Sequence, residues 1–349
     1  MPNKYNIREF SLSDLQSFFR DKNEKAFRAK QVFEWIWKKH VGSFDDMTNL
    51  SKSLRNLLNE NFYLNRIKID SFQKSKDNTK KIAFKLSDGS LIEGVLIPVD
   101  NRVTACISTQ VGCKLGCKFC ATGKLGFTRN LLVEEIYDQV VEIKKMAEKE
   151  YSLSLTNIVL MGMGEPLLNY ANVLKAIDLI ISENGLAMSP QRITLSTVGL
   201  PKMIKKLADD NVKFHLAVSL HSAIDEKRSN IMPVNKKNSL DELTESLVYF
   251  NEKTGTRIIF EYLLLEGIND SIVDAKALAE FCKSFPVKIN VIEFNATNDK
   301  HFKKSGKETT DAFITFLKSK NIVVNVRRSR GSDIDAACGQ LANKKKKFI

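Results

Sequence analysis

The 349-residue chain contains no unbroken apolar run of about 18 residues, so no segment reads as a membrane-spanning helix. Its first residues, Met1-Pro2-Asn3-Lys4-Tyr5-Asn6-Ile7-Arg8-Glu9, lack the charged-then-apolar layout of a secretory signal, and a cytoplasmic location is expected. Cysteine is scarce: six in a chain of this length do not make the disulfide framework of a small secreted domain. In a reducing compartment they read as metal-binding or catalytic groups. No internal repeat is visible, and the only low-complexity stretch is the run Lys344 to Lys347. What is present is 43% hydrophobic, ample for one large domain and a smaller one.

The net charge of +13 is unevenly spread. Residues 1–100 hold 18 Lys/Arg against 13 Asp/Glu, residues 101–300 hold 24 against 24, and residues 301–349 hold 12 against 4. A neutral body with basic ends suggests a polyanionic partner, most simply nucleic acid. A solubilising surface explains the same numbers, and the lysine run reads equally as a solvated tail.

Residues 1–98 read as a small helical domain leading into a hairpin. Ser13-x-x-Gln16 resembles a capping box for a first helix carrying Leu15, Phe18 and Phe19, with further helices over 24–39 and 51–59. Strands over 81–86 and 91–98 are joined at Ser87-Asp88-Gly89, a turn signal. Residues 99–349 alternate strands and helices. Strands are expected over 103–108, 157–161, 192–196, 214–220, 257–264 and 287–293. Helices are expected over 133–150, 170–183, 240–253, 272–284 and 308–318. Six such units imply an α/β fold with a parallel sheet, either doubly wound or a partial barrel. In both, chemistry gathers at the carboxyl ends of the strands.

The residues best suited to chemistry lie at those ends. Gly112-Cys113-Lys114-Leu115-Gly116-Cys117-Lys118-Phe119-Cys120 follows the first strand with the spacing C-x-x-x-C-x-x-C. Three thiolates on one loop can hold three irons of a cubane, leaving a fourth iron open to a small molecule. Structural zinc usually takes four ligands from paired C-x-x-C knuckles, and no second knuckle follows; three unrelated buried thiols are the remaining alternative. Gly162-Met163-Gly164-Glu165-Pro166 follows the second strand, where glycines let backbone approach a ligand and Glu165 can accept from an ammonium group. Ser196 ends the third strand, Ser219-Leu220-His221 the fourth, and Asn295 follows the sixth. Cys106 sits on the first strand. Cys338 lies in a small, acidic segment poor in large apolar residues, which favours exposure and reactivity and allows a fold-back over a barrel mouth. Cys282, beside Phe281 and Phe285, reads as core.

Taken together, these motifs resemble one family. They are the cysteine loop with Ala121 to Phe127, the Met161 to Leu167 turn, Arg192 to Thr197, Ser219 to His221, and Asp333 to Leu341. The family is the dual-specificity 23S rRNA/tRNA adenine-C2 methyltransferases, which are radical S-adenosylmethionine (SAM) enzymes. Family members commonly have Pro where this chain has Ala296. The resemblance implies a partial (β/α)6 barrel with a helical N-terminal domain and a hairpin extension. It implies a [4Fe-4S] cluster on Cys113, Cys117 and Cys120, and a SAM site built from Gly164, Glu165, Ser196, Ser219, Leu220, His221 and Asn295. Two SAM per turnover are expected: one methylates Cys338, and the other yields a radical that activates that methyl group for addition to adenine C2. Cys106 then attacks the Cys338 sulfur, making a transient disulfide and releasing the base, while Glu93, among apolar strand neighbours, takes the C2 proton. The expected partners are 23S rRNA, tRNA and an electron donor such as flavodoxin or ferredoxin, with the chain acting as a monomer. Arg327, Arg328 and Arg330 read as phosphate contacts, and the target adenine must be unstacked. Rival readings are methylation at adenine C8, a glycyl-radical activase, and a zinc-stabilised RNA-binding protein.

Overall fold

The computed structural model describes residues 4–296 and 301–343; the Lys344 to Lys347 run and the first three residues lie outside them. The chain opens with strand β1 (Tyr5–Asn6), three short helices α1 (Leu12–Asp21), α2 (Arg28–Trp37) and α3 (Lys52–Asn61), and β2 (Phe62–Tyr63), which pairs with β1. The cap of α1 is Ser11 rather than Ser13: its side chain accepts from the Asp14 N–H, and Asp14 reciprocates. The capping box therefore begins two residues earlier than the Ser-x-x-Gln pattern suggested. Leu15, Phe19, Leu54, Leu58 and Phe62 are buried between these helices.

Next come β3 (Lys68–Lys74), β4 (Lys80–Lys85), β5 (Leu91–Val99) and β6 (Arg102–Cys106). A short hairpin of β7 (Gln110–Cys113) and β8 (Gly126–Asn130) brackets the cysteine loop. Helix α4 (Val133–Tyr151), β9 (Asn157–Leu160), α5 (Tyr170–Ile181), β10 (Ile193–Thr197), α6 (Pro201–Asp209) and β11 (His215–Ser219) follow. The chain continues through α7 (Asp225–Ile231), α8 (Leu240–Thr254), β12 (Ile258–Leu264), α9 (Ile272–Phe281), β13 (Val287–Glu293), α10 (Lys307–Ser319) and β14 (Val323–Arg327).

One sheet of ten strands runs β14-β13-β12-β11-β10-β9-β6-β5-β4-β3. Strand β6 and strands β9 to β14 are parallel, and β3, β4 and β5 form an antiparallel flank paired to β6. The sheet is continuous across residues 98 and 99, because Val99 pairs with Arg102 and Val95 with Cys106. Beyond the six expected parallel strands, β14 adds a seventh among the described residues. Its sequence, Val-Val-Asn-Val-Arg, is short and half-exposed, so it carries little burial signal.

Helix α4 is where the helical unit docks. The Arg8 guanidinium donates to both Asp138 oxygens at 2.8 and 2.7 Å and to the Asn65 carbonyl at 3.1 Å. It also lies 4.3 Å from the Trp37 ring centroid. Asn6 and Asn65 donate to Glu134, and the Tyr137 hydroxyl donates to the Trp37 carbonyl. Arg8 Nε has no hydrogen-bond partner among the described residues, but the other buried polar groups named here find theirs across the interface.

Candidate active site

The carboxyl ends of β9 to β13 surround one cavity that opens to solvent. Cys113, Cys117 and Cys120 line it together with Gly162, Gly164, Glu165, Ser196, Ser219, His221, Glu261 and Cys338. The cysteine loop is pinned from behind: Lys118 N–H donates to the Ile231 carbonyl at 3.0 Å, and the Phe119 ring meets His221 edge-on at 4.8 Å. Burial first, with the neighbouring cysteines adding to it, pushes the Cys113 thiol up to about 11 and the Cys117 thiol higher still. Among the described residues no three His, Cys, Asp or Glu side chains converge on a single ion. Three cysteines of one loop lining a single cavity suit a polynuclear centre in which each iron takes one thiolate.

Glu165 is buried beside this wall. Its carboxylate accepts from Val198 N–H at 2.9 Å and Leu167 N–H at 3.1 Å, yet burial raises it to about 7. A carboxylate so placed gains from a cationic ligand. The preceding Gly164 has φ +99°, and a Cβ there would lie 2.5 Å from Gln110 Cβ. Gln110 also accepts from the Glu165 N–H at 2.9 Å, so β7 and the Glu165 turn are built against each other.

The other expected cofactor residues divide. Ser196, Ser219 and His221 line the cavity, whereas Leu220 is buried in the core. His221 Nδ1 accepts from Leu263 N–H, its carbonyl accepts from Asn269, and burial drops its pKa to about 3. It is therefore a neutral strut beneath Phe119. Asn295 lines a neighbouring cavity rather than this one.

That second cavity is lined by Cys106, Cys120, Thr122, Arg102, Arg327, Arg328, Arg330 and Cys338, among others. Cys338 thus sits on the wall the two cavities share. The segment carrying it folds back over the strand ends: Ala121 N–H donates to the Gly339 carbonyl at 2.7 Å, and Thr122 Oγ1 donates to the Leu341 carbonyl at 2.6 Å. Cys338 is accessible through the cavity although protein surrounds it on most sides. That crowding raises its thiol pKa, and Arg327 opposes the rise. Burial and then Cys338 push Cys106 up to about 12. Both thiols are free in this structure.

Glu93 lines neither cavity. Its Oε2 accepts from Ala342 and Asn343 N–H at 2.9 and 3.2 Å, and Lys81 lies 3.5 Å from Oε1. Cys282 is buried in the core, as its flanking phenylalanines suggested.

Two charged residues, Arg228 and Glu261, escaped the sequence reading of the site, and a third, Arg327, was given a different role there. Arg228 is fully buried and donates to the carbonyls of Leu220, Ser219 and Val198, tying together the strand ends that carry the cavity. Glu261, inside the barrel on β12, accepts from Asn290 at 2.8 Å and Arg327 at 3.3 Å. Arg327, read as a phosphate contact, is instead half-turned into the protein by this ion pair. Burial pulls its pKa down, but Glu261 and the nearby thiols hold it above its ordinary value. No local pattern marks such residues: Arg228 meets carbonyls 8, 9 and 30 residues away, and Glu261 meets side chains 29 and 66 residues away.

A curved parallel sheet with a three-cysteine loop after its first parallel strand and a buried Gly-Glu turn after the second defines a radical SAM enzyme. The family model for the radical SAM superfamily matches residues 107–279, and one described as ribosomal RNA large subunit methyltransferase N-terminal domain matches residues 5–64. Proteins described as "Probable dual-specificity RNA methyltransferase RlmN" are similar along the whole chain. The protein from Cytophaga hutchinsonii is 56% identical, covering 98% of this chain and 93% of its own length. That from Flavobacterium johnsoniae is 54% identical, covering 98% of each. The crystal structure of a radical SAM methyltransferase from Sphaerobacter thermophilus superposes with a TM-score of 0.90 at 37% identity, covering 97% of this chain and 99% of that one. The chain belongs to the RlmN family of dual-specificity RNA methyltransferases.

Proposed function

We propose that this enzyme methylates carbon 2 of an adenosine in 23S rRNA and in tRNA, carrying the methyl group on Cys338 and releasing the product with Cys106. The observation that carries this reading is the position of Cys338 between the cavity of Cys113, Cys117 and Cys120 and the arginine-lined cavity of Cys106. A [4Fe-4S] cluster held by the three loop cysteines supplies, with SAM, the one-electron chemistry that makes a methyl group reactive.

The chain's own residues do the rest. Glu165 and the Gly164 turn hold the ammonium end of SAM. Arg327 offsets the burial of Cys338 and so favours the thiolate that accepts a methyl group from SAM, with S-adenosylhomocysteine leaving. Arg102, Arg328 and Arg330 face the RNA backbone, and the unstacked adenine enters the second cavity. Once sulfur and base are joined through a methylene, Cys106 thiolate attacks the Cys338 sulfur. The S–S bond forms, the S–CH2 bond breaks, and the carbon takes a proton to become methyl. Glu93 accepts the C2 proton, which requires residues 342–343 to move off its carboxylate. A small electron-transfer protein such as a flavodoxin or ferredoxin donates the electron, and the chain works as a monomer.

The test is nucleoside mass spectrometry on rRNA and tRNA from cells lacking their own C2 methyltransferase and carrying this chain or Cys338→Ala. 2-Methyladenosine formed only with the parent supports the reading, and the RNA fraction identifies the substrate. 8-Methyladenosine alone overturns the C2 assignment but keeps the thiol chemistry. Neither product, with the cluster intact, removes RNA as the substrate and favours an activase.

A further inference from the structure

The segment bearing Cys338 is fastened at both ends, and only one fastening involves the cysteine loop. The other is the tight turn between β3 and β4, well outside the parallel part of the sheet. There Ser75 Oγ donates to Asp333 Oδ1 at 2.6 Å, and Lys76 N–H donates to Asp333 Oδ2 at 3.2 Å. Gly331 N–H donates to Asp77 Oδ2 at 3.0 Å. The turn is itself rigid: Ser75 N–H donates to the Thr79 carbonyl, Thr79 N–H to Asp77 Oδ1, and Asp77 N–H to Ser75 Oγ. Contact is close enough to demand glycine at 331. Its φ is +65°, and a Cβ there would sit 2.8 Å from both Thr79 Cγ2 and Ala336 Cβ.

From this anchor the segment closes on itself, with Ala336 N–H donating to the Gly331 carbonyl at 2.9 Å. Beyond Cys338 it is fastened again at Gly339 and Leu341, and Gln340 Nε2 donates to the Ala296 carbonyl at 2.9 Å. Cys338 therefore spans a short gap between two fixed points. We infer that Ser75 and Asp77, with Asp333 and Gly331, are positioning residues that hold the Cys338 sulfur at the wall between the two cavities. None of the four lines either cavity, so their effect reaches the reaction only through the segment. A displacement of about 1 Å in a reacting atom can cost about a hundredfold in rate.

The inference rests on the reading that Cys338 carries the methyl group, and the test separates the two. Full-length, cluster-loaded protein is mixed with SAM without RNA, and methylation of the Cys338 peptide is followed by mass spectrometry. Iron content, SAM affinity and circular dichroism are recorded in parallel. Ser75→Ala and Asp77→Ala should methylate Cys338 about tenfold to a hundredfold more slowly than the parent, with iron content and SAM affinity unchanged. Ser75→Thr, which keeps the hydroxyl, should recover most of the rate. Parent-like rates in both alanine variants overturn the latch. A parent protein whose Cys338 is never methylated, or a Cys338→Ala variant that still methylates RNA, overturns the underlying reading instead. Should the variants misfold, hydrogen exchange on the unmodified protein decides: the Lys76 and Gly331 amides should be protected, and free exchange at both overturns the latch.

Discussion

Replacing Arg8 by alanine tests how the helical unit is held to the catalytic sheet. Arg8 and Asp138 side chains are 2% and 1% exposed, and the pair is bidentate. Removing the guanidinium leaves the Asp138 carboxylate in the interior with one weak donor, Ile67 N–H at 3.4 Å, and leaves the Asn65 carbonyl without this partner. Breaking a buried ion pair from one side typically costs about 3–5 kcal/mol, because the remaining charge is uncompensated. Arg8→Ala should therefore lose about that much in denaturant unfolding. Amide exchange should rise first in α1 to α3, since the pair sits at their junction with α4. Arg8→Met with Asp138→Leu removes both charges together and should recover a large part of the loss. The functional consequence should be one-sided: KM for RNA rises, while SAM-dependent methylation of Cys338, made wholly within the sheet, keeps its rate. A loss below about 1 kcal/mol in Arg8→Ala, the size expected of an exposed pair, would refute the reasoning.

Three further outcomes follow from the site. Gly164→Ala, which must displace Gln110 and the Glu165 backbone bound to it, should weaken SAM binding by at least about tenfold while iron content is retained; unchanged affinity by equilibrium dialysis counts against the packing argument. Glu165, raised to about 7 by burial, is charged above that pH and neutral below it, so SAM affinity should fall by up to about tenfold per unit as pH drops below 7. A pH-independent affinity between 5.5 and 8.5 excludes the carboxylate–ammonium contact. Cys106→Ala should accumulate an RNase-sensitive protein–RNA adduct on denaturing gels, and normal release of RNA would remove Cys106 from the resolving role.

The features legible in the sequence are those written within a few residues. The C-x-x-x-C-x-x-C spacing, the Gly164-Glu165 turn and the alternation of strands and helices all depend on local geometry, and local geometry repeats in any chain with that spacing. Even there the reading slipped where the signal was shared: Ser11 and Ser13 both stand at the start of α1, and only Ser11 has a carboxylate three residues on to close the box. Strand β14 was missed because an edge strand has few buried positions to report.

Long-range neighbours had to come from the tertiary structure. Arg327 carries the sequence context of a phosphate contact, yet Glu261, 66 residues earlier, turns it inward. Arg8 looks like one more surface cation of a basic segment until Asp138 is placed beside it. Glu93 and Asn295 carry motif signals but do not line the cavity of the cysteine loop: Asn295 lines its neighbour and Glu93 neither. The junction of Cys106 with Cys338, and the turn at Ser75 that fastens the latter's segment, join residues more than two hundred positions apart. The sequence by itself determined the chemistry available, because ligand type and spacing are covalent facts. Which groups share a cavity, and at what charge, was decided only when the sheet closed and took water away from them.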